Sequence, residues 1–381
     1  MFSRSLFTWI AALCIVALAV FILAASVPEV AVQNSTATTS QSASIAVVAP
    51  ATTSAPGVSS TPKTTPKAAK PKAAKTPANT TSNATTSQIT RIQNPYPFAP
   101  KSMEEVNAST RAALVNILCA PRSGSLKPIS GSGVIVSPSG VILTNAHVAQ
   151  YVLLSQDPRF DLSCTIRVGA PAQPALIADV LFMPSVWVAE HARDITIDKP
   201  TGTGEHDYAL LRVVSTISGT PLPGPLPYLE PDSREAIGFL DDQVLAAGYP
   251  AEFVGGIAAQ YGLYPVSSIS TIRELLTFSS GSVDIFSIGG VVEAQGGSSG
   301  GPVVNVWGRL IGMITTTSEG ATTAERDLRA LTLSYINTDI AAQSGKNLQT
   351  ILTGNITEQA NDFRQNVAPV LIAKYVAVLS H

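Results

Sequence analysis

Three short segments of this chain carry the residue types that nucleophilic catalysis by a serine needs. In chain order they present His147 in Thr-Asn-Ala-His-Val, Asp207 in His-Asp-Tyr-Ala-Leu-Leu, and Ser299 in Gly-Gly-Ser-Ser-Gly-Gly-Pro. A serine hydroxyl is a weak nucleophile at neutral pH, so it needs an imidazole to take its proton and a carboxylate to hold that imidazole in the right tautomer. The segments therefore predict a serine nucleophile, a histidine base and an aspartate that orients the base.

The glycines around Ser299 have separate tasks. Gly297 allows the loop to turn so that its own N–H and that of Ser299 converge on one point, which predicts an oxyanion hole with two donors. Gly300 and Gly301 keep the space above Ser299 free of side chains. Ser298 is the competing nucleophile, and a flexible turn between two strands is the simpler interpretation of the loop.

The histidine and the aspartate each stand at the end of a predicted strand. His147 follows two apolar runs joined by a Pro-Ser-Gly turn, which is the signal of a β-hairpin. Asp207 opens an apolar strand, where a carboxylate can be partly buried and directed at an imidazole, and Asp194 is the alternative acid. Three histidines have no comparable context and are interpreted as unrelated to the chemistry: His191, His206 and His381.

From about residue 114 to residue 340 these motifs resemble the trypsin-like, chymotrypsin-fold serine peptidases, and within them the bacterial HtrA-like branch. The order His, Asp, Ser is the order of that family. The resemblance implies an endopeptidase that hydrolyses proteins or peptides through an acyl-enzyme. The alternatives are an inactive member of the fold that serves as a binding module, and a chaperone-like binder of unfolded proteins.

The sequence departs from the digestive members of that family at one informative position. Ser298 precedes the candidate nucleophile, where those enzymes carry an aspartate that pairs with a newly freed N-terminus. Without that acid, the active site must be formed by the folded chain itself or by something that binds it. We also expect no PDZ domain after the peptidase region.

The resemblance implies where side-chain preference is set. The residue six positions before the nucleophile, Glu293, corresponds to the base of the pocket, and Ile314, Thr315 and Thr317 correspond to its wall. A buried carboxylate would favour Lys or Arg substrates, because an unpaired charge in a pocket is costly. The wall lacks the glycine of the digestive enzymes, and the larger side chains narrow the pocket. Alternatively, the Glu293 side chain points to solvent and does not line the pocket. We therefore favour small or aliphatic side chains.

The first hundred residues do not have the composition of a folded domain. Residues 6–25 are nearly all apolar and long enough to cross a bilayer as a helix, and Arg4 lies on their N-terminal side. We predict a membrane-spanning signal-anchor over residues 1–27, with the rest of the chain outside the cytoplasm; secretion after signal cleavage is the alternative. Residues 28–100 are rich in Thr, Ser, Ala, Pro and Lys and predict a disordered linker. Contact between its lysines and an anionic cell-wall polymer is a further hypothesis.

Charge and cysteine content narrow the partners. The net charge of −2 gives no electrostatic reason to expect nucleic acid. No Cys/His cluster has metal-ligand spacing and no glycine loop has a phosphate-binding pattern, so neither a metal nor a cofactor is expected. Cys119 and Cys164 flank the histidine segment, and a domain outside the cytoplasm favours a disulfide between them. Two buried free thiols are the alternative, and the oligomeric state is left open.

Short apolar runs punctuated by Gly and Pro recur through residues 101–340 and predict antiparallel strands. The runs 278–286 and 331–336 are each predicted as one strand. Residues 183–205 are expected as a surface loop, and residues 254–276 as a lid or an insertion. The resemblance implies an all-β domain of chymotrypsin type, a double six-stranded antiparallel β-barrel with the cleft between the barrels.

Residues 341–381 have a helical pattern instead. Asn355 and Glu358 have the spacing of a capping box, and the apolar residues that follow recur every three or four positions. Pro369 should kink or split this helix. We expect a C-terminal helical tail that docks on the barrel.

Overall fold

The computed structural model describes residues 82–83, 90–123, 126–197, 200–222, 224–252, 261–278, 281–317, 322 and 325–380. The predicted signal-anchor and most of the predicted linker lie outside these residues. In the part that is described, no helix combines the length and the apolar character needed to cross a bilayer.

Antiparallel strands dominate the described part up to residue 332. The strands are β1 (Ser82–Asn83), β2 (Leu114–Pro121), β3 (Ile129–Ile135), β4 (Val141–Thr144), β5 (Leu162–Val168), β6 (Gln173–Phe182), β7 (Ala209–Thr216), β8 (Gln243–Gly248), β9 (Val266–Thr271), β10 (Glu274–Thr277), β11 (Ile285–Gly289), β12 (Pro302–Asn305), β13 (Leu310–Thr317) and β14 (Leu328–Thr332). The helices are α1 (Met103–Ala113), α2 (Ala146–Ser155), α3 (Ser185–His191), α4 (Leu333–Ser344), α5 (Leu348–Thr353), α6 (Ile356–Asp362) and α7 (Ala368–Leu379), with a 3-10 helix at Ala192–Thr196 and a π-helical turn at Phe363–Val367.

The first sheet is a closed barrel of six strands in the order β2-β3-β4-β7-β6-β5, which confirms one of the two predicted barrels. Its interior is apolar, with Ile117, Ile142 and Leu211 fully buried. Cys119 and Cys164 are register partners on β2 and β5 and form the predicted disulfide. Each buried aliphatic side chain stabilises the barrel by about 1.5–3 kcal/mol.

The second sheet corrects the prediction of another closed six-stranded barrel. It is an open sheet of eight strands in the order β1-β10-β11-β14-β13-β12-β8-β9. The run 278–286, predicted as one strand, contains a turn between β10 and β11. The Asp284 carboxylate stabilises the end of β10, because its Oδ2 accepts from Thr277 Oγ1 at 2.8 Å and from Phe278 N at 2.7 Å.

Several connections contain more regular structure than the sequence predicted. Residues 183–205 include α3 and the 3-10 helix, and the described part of residues 254–276 includes β9. Helix α1 begins with a capping box that was not predicted: Ser102 Oγ accepts from Glu105 N at 3.2 Å, and Ser102 N donates back to Glu105 Oε2 at 3.1 Å.

The helical tail begins earlier than predicted. Thr332 caps α4 by accepting from Tyr335 N at 3.1 Å, so the chain becomes helical at Leu333 and the strand predicted over 331–336 is wrong after its second residue. Asn355 caps α6, accepting from Glu358 N at 3.2 Å. The π-helical turn ends just before Pro369, which lies in the first turn of α7.

Helix α7 packs on the closed barrel. Leu371 and Ile372 are buried in the same apolar cluster as Val152 of α2. Tyr375 of α7 is fully buried there as well. The tail therefore covers the helix that follows β4.

Candidate active site

The pairing of β4 with β7 brings the candidate base and acid together. Thr144 and Ala209 are register partners at the end of this pair, so His147 in the first turn of α2 lies beside Asp207. His147 Nδ1 is 2.8 Å from Asp207 Oδ2, and His147 N donates to Asp207 Oδ1 at 2.9 Å. The carboxylate thus holds both the ring and the backbone of the histidine.

Two further groups fix Asp207. Thr315 Oγ1 donates to its Oδ2 at 3.2 Å, and Asn145 Nδ2 donates to its backbone carbonyl at 2.7 Å. The Asp207 side chain is 9% exposed. Thr315, assigned by resemblance to the pocket wall, therefore contacts the candidate acid.

The protonation of His147 follows from these contacts. Burial lowers the pKa of His147, but the charge of Asp207 and the hydrogen bond to it outweigh burial, so the pKa is raised. A carboxylate only accepts, so Nδ1 carries the proton that faces Asp207. In the neutral ring Nε2 is then the basic nitrogen, which is the tautomer a general base needs.

The serine loop is packed onto the strands that lead to His147. Ser132 N on β3 donates to Ser299 O at 2.8 Å. A Cβ on Gly300 would lie 2.1 Å from Ser132 O and 2.5 Å from Thr144 Oγ1, so only glycine allows this approach. The contact with Thr144 places the loop next to the segment that carries His147. Among the described residues no hydrogen bond joins Ser299 Oγ to His147, and in enzymes without substrate this bond is often long.

The two candidate oxyanion donors lie in a backbone segment with a special conformation. Gly297 has φ +98°, and its carbonyl is fixed by Ser132 Oγ at 2.7 Å. Within the described residues neither Gly297 N nor Ser299 N donates a hydrogen bond inside the protein, so both donors are available. Ser298, the competing nucleophile, is 1% exposed and faces away from solvent, whereas Ser299 is half-buried.

The residues assigned to the substrate pocket occupy different environments. Glu293 is 0% exposed, which excludes the solvent-facing alternative, and among the described residues neither carboxylate oxygen has a hydrogen-bond partner. The pKa of Glu293 is raised, because burial outweighs the effects that lower it, among them the charge of Arg111. Ile314 is buried and its carbonyl accepts from Gly300 N at 2.9 Å. The side chain of Thr317 lies outside the described residues.

The remaining histidines separate into three cases. His191 Nδ1 is 2.8 Å from Asp194 Oδ2, so Asp194, the alternative acid, pairs with a histidine other than His147. His206, interpreted as unrelated to the chemistry, precedes Asp207 and is 2.8 Å from Asp339 Oδ2 on α4. His381 lies outside the described residues.

The His206 contact was missed because its partner is 133 residues away. Asp339 Oδ2 also accepts from Tyr208 OH and Gln343 Nε2, each at 2.7 Å. His206 has φ +59°, which is uncommon for a residue with a side chain. Its position next to the candidate acid is the one sequence signal that could have drawn attention to it.

A closed six-stranded barrel beside a second antiparallel sheet, with the histidine on one and the serine on the other, defines the class of trypsin-like peptidases. Residues 131–313 match the family of trypsin-like peptidase domains, and these residues include His147, Asp207 and Ser299. Over this range the chain is a trypsin-like peptidase domain.

The chain was also compared with solved structures and with curated proteins. The chain is similar to the crystal structure of the serine endoprotease from Yersinia pestis, with 21% sequence identity, 65% of this chain and 70% of that chain covered, and a TM-score of 0.40. A search of the curated proteins found no match.

Proposed function

We propose that this protein is a serine endopeptidase in which Ser299 is the nucleophile, His147 the general base and acid, and Asp207 the group that orients the imidazole. The observation that carries the proposal is the contact of Gly300 with Ser132 and Thr144. It sets the serine loop against the strand whose end presents the His147–Asp207 pair.

In the proposed reaction Ser299 Oγ attacks the peptide carbonyl carbon while His147 Nε2 takes the hydroxyl proton. The carbonyl π electrons move to oxygen, and the oxyanion accepts from Gly297 N and Ser299 N. His147 then gives its proton to the leaving amine as the C–N bond breaks, which leaves an acyl-enzyme on Ser299. Water, deprotonated by the same Nε2, attacks the ester, and the acid is released with Ser299 regenerated.

Asp207 acts throughout as an ionised acceptor. Its carboxylate accepts from His147 N, from the protonated Nδ1 and from Thr315 Oγ1. These donors fix the orientation of the carboxylate, which stabilises the imidazolium that forms in each half of the reaction.

Labelling with a fluorophosphonate probe tests the proposal. The wild-type full chain should be labelled, and the Ser299→Ala variant should not. Ser298→Ala is the matched control, since this neighbour is buried and should leave labelling in place. A correctly folded wild-type protein that is not labelled would rule out the enzyme in favour of the binding module. Undiminished protection of unfolded clients by Ser299→Ala would favour the chaperone-like binder.

The side-chain preference that we propose is for small or aliphatic residues before the scissile bond. Glu293 is fully buried without a hydrogen-bond partner among the described residues. Burial raises its pKa, which disfavours the ionised carboxylate that a Lys or Arg side chain of a substrate would need as a partner. Dominant cleavage after Lys or Arg in a positional-scanning peptide library, lost in Glu293→Ala, would contradict this preference.

We further propose that the peptidase domain lies outside the cytoplasm, held by residues 6–25. The apolar run behind Arg4 supports the anchor, and the Cys119–Cys164 disulfide is typical of an oxidising compartment. The protein should remain with membranes after salt extraction. A soluble form that begins near Val27 would contradict the anchor and leave the catalytic proposal intact.

A further inference from the structure

The oxyanion loop lacks the ion pair that a buried aspartate would give it. Ser298 stands at that position, is 1% exposed, and has no hydrogen-bond partner for its hydroxyl among the described residues. The loop also contains two consecutive glycines, Gly296 and Gly297, whose backbone rotates with little steric resistance. Some other contact must hold the peptide between them.

Residues 251 and 252, just after β8, make that contact from both sides of Gly296. Gly296 N donates to Glu252 Oε2 at 3.1 Å. Gly296 O accepts from Ala251 N at 2.8 Å and from Glu252 N at 3.1 Å. A Cβ on Gly297 would lie 2.6 Å from Tyr249 O and 2.7 Å from Ala251 N, so the two backbones touch.

Arg326 fixes the Glu252 side chain in turn. Its Nη1 donates to Glu252 Oε2 at 2.8 Å and its Nη2 donates to Glu252 Oε1 at 3.3 Å. The same Nη1 donates to Ala294 O at 2.9 Å. The Arg326 side chain is only 17% exposed, so the guanidinium lies against the loop and joins Ala294 to the carboxylate that holds Gly296.

We propose that Glu252 is a positioning residue whose carboxylate holds Gly296 N, while the backbone N–H groups of residues 251 and 252 hold Gly296 O. Gly296 is thus fixed on both sides so that Gly297 N–H points into the oxyanion hole, and Arg326 holds the Glu252 carboxylate. The inference rests on the proposed function for its catalytic meaning, and on the hydrogen bonds above for its geometry. It answers how the hole is formed without an aspartate at residue 298: an acid from a different loop acts on the backbone two residues earlier.

The kinetic consequence follows from the role of Gly297 N. Loss of one oxyanion donor costs about 10²–10³ in kcat. Glu252→Ala removes the acceptor for Gly296 N, so kcat/KM should fall about 100-fold. In Glu252→Gln the amide oxygen still accepts that bond, so the loss should stay within about tenfold. Glu230→Ala is the matched control, since Glu230 pairs with Arg309 on the same sheet, and its kcat/KM should stay within about twofold.

Inhibitor binding separates positioning from a general structural role. A peptide aldehyde forms an oxyanion on Ser299, whereas a cleaved product peptide does not. In Glu252→Ala the aldehyde should bind weaker by about the same factor as kcat/KM, while the product peptide binds as before. Equal weakening of both ligands, or kcat/KM within twofold of wild type, would overturn the proposal.

A second measurement does not depend on catalysis. In the full chain labelled with ¹⁵N-glycine, the Gly296 amide proton should titrate with the Glu252 carboxylate, and Glu252→Gln should abolish this titration. A Gly296 amide that does not respond to acid pH in the wild type would overturn the contact. If the wild type hydrolyses no peptide and resists the fluorophosphonate, the proposed function fails while this titration still decides the Glu252 contact.

Discussion

The two halves of the proposed active site are built in different ways. The proposed base and acid come from the closed barrel, where the β4–β7 register places their segments side by side. The proposed nucleophile comes from the open sheet, in a loop of residues 290–301 between β11 and β12. The barrel half is thus fixed by strand pairing, which distributes the constraint over several backbone hydrogen bonds.

The serine loop has no ladder of its own and depends on contacts with other segments. Ser132 N and Ser132 Oγ hold the carbonyls of Ser299 and Gly297, and Glu252 holds Gly296. A change in the barrel half should therefore alter chemistry with little change in geometry, whereas a change in the loop should displace the nucleophile.

The largest effect is expected in the barrel half, from Asp207→Asn. The amide keeps the size of the carboxylate but favours the wrong tautomer of His147, so kcat should fall about 10⁴-fold with KM little changed. Removal of the charge that raises the pKa of His147 should also move the acid limb of kcat/KM to lower pH. The pH–rate profile measures both effects, and Asp194→Asn is the control that should change neither. A residual rate near that of the wild type would assign the acid role elsewhere.

Gly300→Ala tests the loop half and should cost at least about 100-fold in kcat/KM, since small displacements of a nucleophile have effects of that size. The new Cβ would lie 2.1 Å from Ser132 O, at a residue with φ +88°. Gly219→Ala is the matched control: its φ is +79° and, among the described residues, nothing lies within 4 Å of the new Cβ. Gly219→Ala should lower the stability of the fold and leave kcat/KM unchanged. Equal kinetic losses in both variants would attribute the effect to backbone strain rather than to the close approach.

The sequence predicts strands where apolar runs are uniform and fails where a polar side chain within the run bonds to the nearby backbone. The β-hairpin predicted before His147 is observed as the antiparallel pair of β3 and β4. The run 278–286 is broken by Asp284, whose carboxylate caps the backbone at Phe278. The strand predicted over residues 331–336 fails because the Thr332 side chain starts a helix. In each failure a local side-chain hydrogen bond outweighs apolar patterning.

At the candidate site, by contrast, the contacts that the sequence does not reveal are distant ones. Short motifs predict His147, Asp207 and Ser299, because each motif is contiguous in the chain. Glu252 and Arg326 are 74 residues apart in sequence, and neither belongs to a repeated local pattern. The groups that support the reacting residues are brought in by tertiary packing, so a single sequence does not reveal them.

Thr315→Val probes the contact between the two halves and should have a smaller effect. Thr315 belongs to β13 of the open sheet, yet its hydroxyl donates to Asp207 in the barrel half at 3.2 Å. A hydrogen bond to a charged group contributes roughly 1.5–3 kcal/mol. Because the Asp207 carboxylate keeps its two bonds from His147 in this variant, kcat/KM should fall about tenfold. Thr315→Ser keeps the hydroxyl and should recover most of the activity. Failure of serine to recover it would indicate that packing of the threonine methyl is what matters.

The smallest effect on activity is expected at the contact between His206 of the barrel half and Asp339 of helix α4. The hydrogen bond to Asp339 raises the pKa of His206, against burial, and the charges of Asp339, Glu205 and Glu190 raise it further. Burial raises the pKa of Asp339, but its bonds from His206 and Tyr208 lower it overall. The pair therefore stabilises the fold most when His206 is protonated and Asp339 is ionised.

The two pKa shifts determine how the stability from this contact changes with pH. The raised pKa of His206 gives stability that is complete below about pH 6.5 and is lost as pH rises through the folded-state value, while the lowered pKa of Asp339 gives stability present above about pH 4. His206→Asn keeps a residue type that tolerates the φ of +59°. It should lower the free energy of unfolding by roughly 2 kcal/mol near pH 5–6 and by less near pH 9, in urea titrations at each pH. Asp339→Asn should show the same convergence, and kcat at pH 8 should change little in either variant, because strand pairing already fixes Asp207. A large loss of kcat with unchanged stability would show instead that α4 holds the acid in place, and that the barrel half depends on outside contacts as the serine loop does.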